Sequence, residues 1–69
     1  MSRRMTEEEY DAEFNTYVKE YVEKGASERD AKVMATIDIE PRAYDYVIEE
    51  YNLTEKELDA IIKLHLKMK

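Results

Sequence analysis

The sequence predicts an all-α fold, a compact bundle of four short helices joined by short loops, and three observations carry that prediction. Apolar residues recur at intervals of three and four along most of the chain, which is the period of one helix face. Two Thr-x-x-Glu segments, Thr6 to Glu9 and Thr54 to Glu57, have the form of capping boxes that open helices. No segment alternates apolar and polar residues over the length of a strand.

The first helix is expected over residues 7–24. It opens on the Thr6/Glu9 box, with Met5 and Tyr10 placed as a hydrophobic staple. Tyr10, Phe14, Tyr17, Val18, Tyr21 and Val22 mark its apolar face, and Gly25 supplies a left-handed stop. Glu8, Glu20 and Glu23 fall opposite, spaced for Lys19/Glu23 and Glu20/Lys24 ion pairs. Ser27 caps a second helix over 28–37, whose buried stripe is Ala31, Met34, Ala35 and Ile37. After a linker at 38–40, Pro41 suits the first position of a third helix over 41–51, lined by Ala43, Tyr44, Val47, Ile48 and Tyr51. Asn52 is a tolerable left-handed stop. The Thr54/Glu57 box, with Leu53 and Leu58 as its staple, then opens a fourth helix over 55–67. Its acids come first and its lysines last, as the helix dipole prefers. The likeness between residues 6–12 and 54–60 is shared capping chemistry, not an internal repeat.

Sixty-nine residues make one small domain, 1–69, with residues 1–5 as a flexible basic N-terminal arm. That arm does not read as a signal peptide, because Thr6-Glu7-Glu8-Glu9 stands where an apolar stretch is needed. No run is long enough to span a membrane, so the expected address is the cytoplasm, a host cytoplasm if the chain is phage-encoded. The absence of cysteine excludes disulfides, thiolate nucleophiles and Cys-based zinc sites. Seventeen acids against eleven bases give a formal charge of −6, which disfavours phosphate backbones and favours basic partners.

No catalytic, cofactor-binding or metal-binding set is expected. The one imidazole, His65, stands amid Leu58, Ile61, Ile62 and Leu66, and no acid lies three or four residues away to orient it. It reads as a core-edge histidine. The carboxylates fall off the apolar stripes, where nothing would tune them for acid–base work. A single glycine rules out a glycine-rich phosphate loop, and no calcium-loop pattern is present. A non-enzymatic protein is therefore expected.

Residues 28–51 have the outline of a helix-turn-helix, with Met34, Ile39, Tyr44 and Val47 at its internal positions. The reading helix, however, would offer only Arg42 against Asp45, Glu49 and Glu50, which is the wrong charge for DNA. A protein partner is the stronger expectation. Tyr46 falls off the apolar stripe among Arg42, Asp45, Glu49 and Glu50, a tyrosine among acids suited to a basic surface on a larger protein. The leading reading is thus an acidic interaction protein, a small regulator or inhibitor whose carboxylates present a field of the same sign as nucleic acid. Its likeness to phage and plasmid regulators is one of size and charge alone. The alternatives are a homo-oligomeric structural subunit, pairing through the Tyr10, Phe14, Tyr17 and Tyr21 seam, and a degenerate helix-turn-helix regulator. The latter would bind protein, or bind DNA through its basic arm and the lysines of the fourth helix.

Overall fold

A helix starts most readily where a local side chain can satisfy its unpaired amides, and three of the four helices here do so. In the computed structural model, which describes residues 5–68, the order is α1 (Glu7–Glu23), α2 (Glu28–Ile39), α3 (Tyr44–Tyr51) and α4 (Glu55–Met68). No strand occurs among the described residues. Residues 1–4 of the basic arm and Lys69 lie outside them.

Both capping boxes form. The Thr6 hydroxyl accepts from the Glu9 amide at 3.1 Å while the Glu9 carboxylate accepts from the Thr6 amide at 3.2 Å. Thr54 and Glu57 repeat the exchange at 3.1 and 3.0 Å. Ser27 caps α2 by accepting from the Asp30 amide at 3.2 Å. Two helix ends also share one device. Gly25 takes φ +106°, and the Ala26 amide donates back to the Tyr21 carbonyl at 3.0 Å. Asn52 takes φ 52°, and the Leu53 amide donates back to Ile48 at 3.0 Å. In each case a left-handed residue turns the chain and buries the apolar residue that follows, Ala26 or Leu53, in the core.

The middle connection departs from expectation. α2 runs on to Ile39, and the link is residues 40–43, where the Ala43 amide donates to the Glu40 carbonyl at 3.0 Å. Pro41 therefore occupies the second position of a turn and does not start a helix. α3 starts three residues late, at Tyr44, without a side-chain cap.

α2 is the axis of the molecule. Ala31, Val33, Met34, Ala35, Thr36 and Ile37 are all buried, so the expected single stripe, which lacked Val33, is too narrow. A helix buried on every side is one that others surround; α1, α3 and α4 each pack on α2. Tyr21, Val47, Leu53 and Ile61 close the core around it.

Three residues assigned to buried faces are exposed instead: Val22 on α1, Tyr44 on α3, and Leu66 on α4, the last at 69%. α1 packs chiefly on α2, so a narrow line through Tyr17, Val18 and Tyr21 is enough to bury it. α4 is turned so that Ile61 and His65 point inward with Leu58, Leu64 and Met68 alongside, which carries Leu66 outward. The expected Lys19/Glu23 and Glu20/Lys24 pairs are absent among the described residues. Lys24 donates across to the Met68 carbonyl at 2.9 Å, placing a cation at the negative end of α4.

Candidate functional site

Two assemblies of side chains stand out, one interior and one at the surface. The interior one joins α1, α2 and α4. The Tyr21 hydroxyl donates to Asp38 Oδ2, and His65 Nε2 lies 3.0 Å from both Asp38 Oδ1 and the Tyr21 oxygen. A carboxylate only accepts, and the tyrosine proton is committed to Oδ2. Nε2 is therefore the donor in its contact with Oδ1. Tyr21 and His65 are each 5% exposed, and their rings meet edge to face with centroids 5.5 Å apart. Burial first, and then the bond to Asp38, push the Tyr21 hydroxyl pKa far above the ordinary phenol range.

This cluster corrects three expectations. His65 is a core residue and has an orienting acid, supplied from 27 positions away. Asp38, at 9% side-chain exposure, is an acid on an inward face. Tyr21 is withdrawn from the self-association seam, leaving Tyr10, Phe14 and Tyr17 half-buried along α1, with Tyr10 and Phe14 stacked at 6.2 Å. By sequence, Asp38 falls in the expected linker at 38–40. The extension of α2 by one half-turn carries it inward, and no local pattern marks that.

Above the cluster, a cleft of about 230 Å³ is lined by Ile37, Pro41, Tyr44, Ile62 and Leu66, with Asp38 and His65 at its base. No serine, threonine or cysteine lines it. Among the described residues no three His, Cys, Asp or Glu side chains gather as a metal site would need. Chemically the interior cluster is a polar tie: it satisfies a buried carboxylate and fixes the relative placement of the helices that contribute to it.

At the surface, Arg42, Asp45, Tyr46, Glu49 and Glu50 are all exposed, as the helical wheel predicts, with Tyr46 at 56%. The structure also brings Tyr46 and Arg42 together with a residue assigned to the other seam. A groove of about 450 Å³ between α1, α2 and α3 is lined by Tyr10, Thr36, Glu40, Arg42, Ala43 and Tyr46. Asp45, Glu49 and Glu50 are not part of its lining. The Tyr10 hydroxyl has its pKa raised by burial, partly offset by Thr36, with Glu40 and Tyr46 adding to the rise. Tyr10 of α1 and Tyr46 of α3 thus face one groove. The Thr36 hydroxyl on the floor donates to the Lys32 carbonyl at 2.9 Å.

No helix among the described residues is long and apolar enough to cross a membrane. No family model, curated protein or solved structure shows a significant match to the chain.

Proposed function

We propose that this chain is a non-enzymatic interaction domain that docks on a larger protein through the exposed side of α3, against a surface rich in basic residues. The observation that supports the reading most directly is Tyr46, a large aromatic left 56% exposed on a short helix whose solvent side also carries Asp45, Glu49 and Glu50. An exposed tyrosine gives a partner apolar area at small entropic cost. The surrounding carboxylates and a net charge of −6 speed encounter with a positive patch. Only Arg42 opposes this field at the start of α3, which favours a protein surface over DNA in the role of partner. The fold contributes rigidity: α3 is seated by the wholly buried Val47 and by the turn at Asn52.

The test is kinetic. The partner is captured from lysate, and its binding is followed on a biosensor at two salt concentrations. Replacing Glu49 and Glu50 with lysine slows association at low salt by about tenfold, an effect that shrinks as salt screens the charges. Tyr46→Ala leaves association nearly unchanged and speeds dissociation by about tenfold. An oligonucleotide competes if the partner surface is one that binds nucleic acid. Unchanged rates in both variants would overturn the reading.

A further inference from the structure

Resting on the docking reading, the geometry points to a specific anchor: the groove between Tyr10 and Tyr46 receives an arginine side chain of the protein partner, with its guanidinium against the two tyrosines and Glu40. The walls are aromatic on two sides, Tyr10 from α1 and Tyr46 from α3. A guanidinium is planar and weakly hydrated and stacks on aromatic faces, which an ammonium does less well. Glu40 lines the same groove and offers a carboxylate whose two oxygens match the guanidinium fork. Thr36 adds no charge to the floor. The groove's volume, about 450 Å³, leaves room for a long side chain and for the water it brings.

Aromatic walls and overall charge together select this occupant. Among the described residues the lining holds one acid, Glu40, and one cation, Arg42, so the preference for a cationic occupant comes from the two aromatic walls and the net charge of −6 around them. Arg42 makes the inference directional. Removing it strengthens binding of a cationic side chain, whereas an anionic or purely apolar occupant would bind less well or unchanged.

The probe is a capped Gly-Arg-Arg-Gly peptide, titrated into the ¹⁵N-labelled protein and followed by NMR, with Gly-Lys-Lys-Gly as a control of equal charge. The arginine peptide is expected to shift the amides of Tyr10, Thr36, Glu40, Ala43 and Tyr46, and to bind about threefold more tightly than the lysine peptide. Glu40→Gln and Tyr46→Leu each weaken it about fivefold, and Arg42→Ala tightens it about twofold. Glu40, Arg42 and Tyr46 are exposed, so each variant keeps the dispersed spectrum of the folded protein. Equal binding of the two peptides, an Arg42→Ala variant that binds more weakly, or no shift in the groove overturns the anchor. Shifts confined to Asp45, Glu49 and Glu50 also overturn it while leaving the docking face of α3 intact. That face is judged separately by the partner kinetics.

Discussion

At the scale of single residues, the buried carboxylate of Asp38 concentrates the energetic risk in this molecule. It lies between the Tyr21 hydroxyl and His65 Nε2, all nine-tenths or more buried. Removing a partner inside a core leaves the others desolvated and unsatisfied. Asp38→Ala should therefore cost about 3 kcal/mol, and Tyr21→Phe about 2 kcal/mol because a buried carboxylate loses a donor. The double variant should cost less than the sum, since each single change already breaks the shared contact. Urea denaturation of the three variants measures this. The Tyr21 hydroxyl also sets a pH dependence. Its pKa is raised in the folded state by burial and by Asp38, so its contribution is complete below the ordinary tyrosine range and is lost as pH climbs through and beyond it. Tyr21→Phe should remove that alkaline loss.

At the scale of elements, the helix starts are alike in form and unequal in consequence. The Thr6 box closes through the Thr6 hydroxyl and the Glu9 carboxylate. The Thr54 box is tied to a second helix, because Glu57 accepts from the Thr54 amide through one oxygen and from Arg29 of α2 through the other at 2.8 Å. Thr6→Ala should cost about 1 kcal/mol, and Thr54→Ala at least as much, about 1 to 2 kcal/mol. The Thr54 amide first, and then Arg29, hold the Glu57 carboxyl below the usual range. A depressed folded value stabilises the protein above the unfolded carboxylate range, and that support is lost as pH falls through the folded value. Thermal melts from about pH 7 down to about pH 3 should show a shallower fall for Glu57→Gln than for the wild type.

At the scale of the whole molecule, everything depends on α2, within a body of 34 × 26 × 19 Å. Met34 is the largest side chain that is fully enclosed. Cutting it to alanine should cost about 3 kcal/mol, a large share of the roughly 3 to 10 kcal/mol that a domain of 69 residues has available. Leu66→Ser, by contrast, should change stability by less than about 0.5 kcal/mol, because Leu66 projects into solvent. Chemical denaturation of both variants checks the ranking. A large cost for Leu66→Ser would mean that its face is covered by another chain in solution.

What the sequence determined by itself follows from interactions within four or five residues. The capping boxes at Thr6 and Thr54, the Ser27 cap, the left-handed turns at Gly25 and Asn52, and the exposure of Tyr46 all depend on near neighbours or on a single helix's own period. The tertiary structure decided what depends on how many neighbours a helix has and how it is rotated against them. It enclosed Val33 by surrounding α2, turned Leu66 out, and paired Lys24 with the end of α4. It brought Tyr10 of one expected surface to Tyr46 of another across a groove. It also gave His65 an acid 27 positions away and a hydroxyl 44 positions away. Helical period records which face of a segment is apolar; it holds no information about which distant polar group that face will meet, because that meeting is fixed only when all four helices pack at once.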